Sequence, residues 1–133
     1  MANAIYPKAK ETALQGGLNM SAGNVKAVLV DGADYTYSAS HQFLSDVAGA
    51  GRVATSGNLG TKTFTSGTFD SADFAFTAVT GDPCEILIVY VDTGVAGTSP
   101  LVAYYDTGVT GLPVTPNGGD INVTVNASGW FTL

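Results

Sequence analysis

Residues 86–91 read ILIVYV, six apolar side chains in a row, and no other stretch restricts the fold so tightly. Side chains alternate between the two faces of a strand, so an unbroken apolar run has to be covered on both. A membrane-spanning helix needs ~18 or more such residues, so this run belongs in a protein interior instead. Cys84 to Asp92 is therefore expected at the centre of a sheet, and a membrane span is excluded.

The segments around it repeat the strand signal in weaker form. Asn24 to Asp31 (NVKAVLVD) is rich in β-branched residues and stops at the turn dipeptide Asp31-Gly32. Arg52 to Leu59 and Lys62 to Phe69 are Thr-rich and each is broken by a Ser-Gly pair, the mark of edge or bulged strands. Asp73 to Val79 alternates, with Phe74, Phe76 and Ala78 on one face. Leu101 to Asp106, Asp120 to Asn126 and the closing Trp130 to Leu133 complete the set. In SASHQFLSD, Ser40 is placed to cap a single turn that faces Phe43, Leu44 and Val47 inward.

Only the start of the chain reads as helix. Pro7 suits a first helical position, KAKETALQ follows, and Gly16-Gly17 ends the pattern. Seven to nine short antiparallel strands with turns every 8 to 12 residues, after a helix over roughly 5–15, predict an all-β domain. The architecture expected is one β-sandwich or barrel-like domain over residues 1–133, with residues 1–17 as a helical segment or arm. No signal-peptide core is read in the charged N-terminal stretch.

Charge narrows the function classes. Only 12% of residues are charged, with five Lys plus Arg against eleven Asp plus Glu and a pI near 4.2. Five scattered cations make no phosphate-neutralising face, which argues against nucleic-acid binding. Seventeen glycines and sixteen threonines take the place of surface charge, a composition suited to exposure outside cells or to burial against neighbours.

Sites for chemistry are sparse. The single histidine, His41, stands among Asp31, Asp34 and Asp46, yet no nucleophile elbow accompanies it, and Ser, His and Asp crowded on one loop rarely converge. One His and one Cys cannot supply a zinc site. Asp31/Asp34 and Asp70/Asp73 resemble calcium ligands without the twelve-residue loop and its closing glutamate. Most aspartates sit beside Gly, Ser, Thr or Pro, where they hold turns; Asp82, Asp92, Asp106 and Asp120 each bound a strand. Two glutamates and turn aspartates offer no carboxylate pair for glycoside hydrolysis. Cys84 reads as a buried small hydrophobe, and the sequons at Asn122 and Asn126 read as chance. The expectation is a non-enzyme without cofactor or metal. Tyr35, Tyr37, Tyr104, Tyr105 and Trp130 form either a sugar-stacking platform or the ends of the core, with Tyr35 and Tyr37 expected nearest the surface.

Taken in order, KAVLVDGADYTYSASHQFLSDV, RVAT, FTAVTGD, YVDTG and LVAYYDTGVTGLPVTPNGGDINV resemble a group of small structural proteins encoded by tailed bacteriophages. The likeness runs over nearly the whole chain. It implies a virion component, with no catalytic or binding motif to carry over. From it follows the expectation of a capsid decoration or cement protein on the outer capsid surface. Such a protein would bind the major capsid protein as a symmetric homo-oligomer, here a trimer. Contacts are expected at Ile5, Tyr6, Pro7, Tyr35, Tyr37, His41 and Phe43. The alternative is a head-fibre or tail-associated module that recognises host glycans through Tyr35, Tyr37 or Tyr104.

Overall fold

The computed structural model describes residues 3–133. Among them are nine strands, all paired antiparallel, and one α-helix. In chain order these are β1 (Ala4–Ile5), α1 (Pro7–Leu14), β2 (Asn24–Val30), β3 (Arg52–Thr55), β4 (Thr68–Phe69), β5 (Phe74–Phe76), β6 (Ile86–Asp92), β7 (Leu101–Tyr105), β8 (Ile121–Val123) and β9 (Phe131–Thr132). Five strands form one sheet in the order β1-β7-β6-β2-β3, and β4-β9 and β5-β8 form separate two-stranded ribbons. The fold is all-β and sandwich-like, and the sheet does not close into a barrel.

The ILIVYV run lies in β6, the middle strand of the sheet, and every residue from Ile86 to Val91 is buried. Alternation sends Leu87, Val89 and Val91 to one face with Val25, Ala27 and Leu29 of β2. That face packs against the ribbons through Phe69, Phe76, Ile121 and Val123. Ile86, Ile88 and Tyr90 point the other way with Val28 and Val30. This second face is covered by Tyr6 and Ala9 from the helical segment and by Tyr35, Leu44 and Val47 from the 35–47 loop. Fully burying such a side chain stabilises by ~1.5–3 kcal/mol, so both layers are needed to hold the central strands.

The helix is shorter than the expected 5–15. Pro7 opens it, and Gly16, at a φ of 77°, takes the left-handed turn that lets the chain leave. Eight residues cannot hold a helix alone, so α1 depends on the burial of Ala9 and of Tyr6 before it.

Two expectations about strands are corrected. Lys62 to Phe69 is not one strand: Ser66, with φ 54°, and Gly67 form a turn that folds the chain back, so Thr63 bridges Asp70. Ala78 leaves the alternation of Phe74 and Phe76 because its φ of 49° ends the extended segment. Arg52 to Leu59 does run along the sheet edge, but only Arg52–Thr55 is regular. There the Ser56 hydroxyl accepts the Ala27 N–H at 2.9 Å and continues the ladder with a side chain.

Candidate functional site

The stretch that most resembled an active site turns out to be a clamp. Tyr6, Tyr35, Tyr37 and Tyr104 gather on the second face, with Tyr37 5.2 Å from both Tyr6 and Tyr104 between ring centroids. The Tyr6 hydroxyl lies 2.8 Å from that of Tyr35, which lies 2.8 Å from His41 Nδ1. Tyr6 is fully buried and has Tyr35 as its hydroxyl partner, so its O–H donates to Tyr35 and the Tyr35 O–H donates to His41. That direction makes His41 Nδ1 the acceptor at the end of the line. Burial first, then the hydrogen bond to Tyr35, pushes the Tyr6 phenol far above its ordinary range. Burial also raises Tyr35, and burial with neighbouring Asp106 pushes Tyr104 up to about 12.

The loop that carries Tyr35 and His41 is fixed at its far end by Asp46. Its carboxylate accepts the N–H groups of Gln42 at 2.7 Å and Phe43 at 3.0 Å, and these bonds lower its pKa. Ser40 is not the cap expected; its hydroxyl bonds that of Ser38 at 2.9 Å, while Asp46 organises the turn Leu44–Asp46. Backbone bonds from Leu44 to Ser99 and from Leu101 to Gln42 tie the loop to the start of β7.

Of the seven expected contact residues, two face inward. Tyr6 is 0% and Tyr35 6% exposed, because the aromatic rings that close the second face also fasten α1 and the loop to the sheet. Pro7 is exposed, and Ile5, Tyr37, His41 and Phe43 are half-buried. Tyr104 is likewise buried at 4%, so a sugar platform on Tyr35, Tyr37 and Tyr104 is not available.

Asp31 and Asp34 meet Asp82, with carboxylate oxygens all within 4.8 Å. Asp31 also accepts the Ala33 N–H at 2.9 Å, and Glu85 accepts the Gly32 N–H at 2.8 Å, so turn-holding is one use of this acidic end. The three aspartates are the residues that could hold a divalent cation. The Asp70/Asp73 pair instead secures backbone, accepting from Ser71 at 2.8 Å and Val125 at 2.7 Å. Cys84 is buried, and burial reinforced by Glu85 pushes its thiol up to about 11, which leaves it inert.

Tyr105 and Trp130 do come together, 5.5 Å apart, with the Tyr105 hydroxyl on the Trp130 carbonyl at 2.6 Å. They stand at an open cleft of about 460 Å³ whose other walls include Asn3, Thr124, Asn126 and Ser128. Gly129 is required there, since a Cβ would lie 2.7 Å from the Phe69 carbonyl. No protein-family model matches this chain, and no curated protein sequence matches it.

Sequence reasoning missed three partnerships: Tyr6 with Tyr35, Asp82 with Asp31 and Asp34, and Lys62 with the loop after the helix. Lys62 Nζ donates to the Met20 and Gly23 carbonyls, each at 2.7 Å. A turn aspartate or a lone lysine carries no local pattern that names a partner so distant in the chain. Tyr6 carried a weak signal, a large aromatic directly before a helix-opening proline.

Proposed function

We propose that this chain is a structural component of a tailed-bacteriophage virion, a decoration protein that binds the outer face of the capsid lattice and stabilises the head. The ordered likeness from KAVLVDGADYTYSASHQFLSDV to LVAYYDTGVTGLPVTPNGGDINV carries the proposal. The geometry supports a binding role over catalysis. The one histidine is hydrogen-bonded into a clamp, and most aspartates that drew attention hold turns. A small body whose central strands are buried on both faces is a stiff plate, suited to bind without changing shape. Pro7, exposed, and Ile5, Tyr37, His41 and Phe43, half-buried, remain the residues proposed to meet the capsid protein. Binding specific to the assembled lattice would stabilise it by mass action.

Copy number is the test. Purified chain added to emptied, undecorated heads is expected to bind in hundreds of copies and to raise the temperature at which they disrupt. A handful of copies confined to the tail would overturn the proposal.

A second reading, a glycan-recognising fibre or tail module, rests on the Tyr105/Trp130 cleft. Its lining is uncharged, with amides and hydroxyls beside aromatic rings, a composition that suits sugars. Retention on a glycan array that is lost in Trp130→Ala would favour it.

A further inference from the structure

Two dipeptides in this chain are open to spontaneous backbone chemistry, Asp31-Gly32 and Asn117-Gly118. Where glycine follows Asp or Asn, no side chain hinders its amide nitrogen. That nitrogen can attack the side-chain carbonyl carbon, form a C–N bond and close a succinimide ring. Asn then loses its side-chain nitrogen as ammonia, and Asp loses an oxygen as water. Solvent water opens the ring at either carbonyl, which yields aspartate or isoaspartate, the latter with the backbone running through the side chain.

The fold holds both dipeptides in the same way. The Asn117 side-chain oxygen accepts the Gly119 N–H at 3.0 Å, and the Gly118 N–H donates to the Val79 carbonyl at 2.7 Å. The Asp31 side-chain oxygen accepts the Ala33 N–H at 2.9 Å, and the Gly32 N–H donates to the Glu85 carboxylate at 2.8 Å. Attack needs the glycine N–H to give up its proton and its nitrogen to turn on the carbonyl carbon, and a directed bond to a distant acceptor opposes both. Each bond has its own anchor. Glu85 is itself the acceptor for Gly32. The Val79 carbonyl is kept in place by the Val79 N–H, which donates to the Gly119 carbonyl at 3.0 Å, and by Asp120, whose carboxylate accepts the neighbouring Ala78 N–H at 2.9 Å.

We propose that Asn117 and Asp31 are modification sites at which the native fold suppresses succinimide formation locally, so that isoaspartate forms there when the bonds to Val79 and Glu85 open. The rate at each site follows the population of its own open form. At Asp31 the product lengthens the backbone at the turn that ends β2 and leads into the Tyr35 loop. Neither site depends on the virion reading.

Peptide mapping against isoaspartate standards, on chain aged in buffer and in urea, tests it. Isoaspartate is expected at both sites in urea, Asn117 ahead of Asp31, and more than about tenfold more slowly in buffer. Asp120→Ala is expected to raise the rate at Asn117 in buffer about fivefold, the factor that one hydrogen bond carries, with Asp31 unchanged. Glu85→Ala is expected to do the reverse. Asp120→Asn and Glu85→Gln, which keep an acceptor oxygen, are expected to stay at the wild-type rates. Equal rates in buffer and urea at either site would overturn the proposal. So would a parallel rise at both sites in either alanine variant, which would make global stability, rather than the local bonds, the source of protection.

Discussion

The two faces of the central sheet are built from the same strands and held in different ways. The face under the ribbons is aliphatic and aromatic, closed by side chains that interdigitate without direction. The face under α1 and the 35–47 loop is closed by four tyrosines, two of them in a hydrogen-bonded line to His41. Strands can cover a sheet by shape alone because their own backbones are paired. An irregular loop has fewer backbone partners, and directed hydroxyl bonds make up the difference.

Substitutions that open cavities under each cover test this contrast most strongly. Leu87→Ala, under the ribbons, is expected to cost ~3–5 kcal/mol in urea unfolding, and Leu101→Ala, under the loop, ~2–3 kcal/mol, because the loop can settle into the space. Equal losses would mean that the loop is as rigid as the ribbons. Next, Tyr35→Phe is expected to cost ~1–3 kcal/mol by leaving the buried Tyr6 O–H without an acceptor. Tyr6→Phe costs less, ~0.5–1.5 kcal/mol, since Tyr35 keeps His41, and the double variant should lie close to Tyr6→Phe.

Alkali should weaken both faces, because burial raises Tyr105 on the ribbon side and Tyr90 beside the tyrosine cluster as well. Tyr6, Tyr35 and Tyr104 ionise in the unfolded chain near pH 10 and are held protonated above that in the fold. The unfolded state therefore loses protons first, and stability falls as pH rises beyond about 10. Thermal melts across that range should show a shallower fall in a Tyr6→Phe, Tyr104→Phe variant, with Tyr35, Tyr90 and Tyr105 supplying what remains. In acid the sign reverses for Asp46 and Asp92, whose lowered pKa values mean that their contribution is present above about pH 4 and lost as pH falls below it. The backbone bonds from Gln42 and Phe43 lower Asp46, and the Lys26 ammonium, 2.7 Å away, leads for Asp92. Asp46→Asn should remove part of that acid-limb slope. The smallest effect is at the surface: Lys10→Glu, at an exposed helix position, is expected to change folding stability by less than about 0.5 kcal/mol.

The ribbon-covered face was the more legible of the two in the sequence. A continuous apolar run such as ILIVYV must be central, and the alternation of Ile121 and Val123 with Asn122 announces a one-sided strand, because both are local periodicities. The tyrosine face was misread for a related reason. Tyr35 follows a turn, and turns are usually wet, but the ring's place was decided by Tyr6, twenty-nine positions earlier, and by Tyr104. His41 stands near Asp31 and Asp34 in sequence and was expected to be a contact residue. The fold sends those aspartates to Asp82 and turns the imidazole toward Tyr35, and neither outcome has a short-range signature. The apolar groove lined by Leu18, Met20, Phe64 and Leu133 had no signal in the sequence, because these residues come from three separate segments.

One feature of the sheet bears on time as well as on structure. Ala4 pairs with Tyr104, and Asn24 with Asp92, so two of the sheet's four ladders join residues more than fifty positions apart in the chain. Loop closure must come before such contacts gain anything, which makes folding slow next to that of a helical bundle of similar size. The two-residue β1, at the edge, can add its bonds only after β7 is in place. The N-terminal strand is thus the last piece to join and the first to leave, and an exchange experiment should find its amides unprotected while those of β6 still hold their hydrogens.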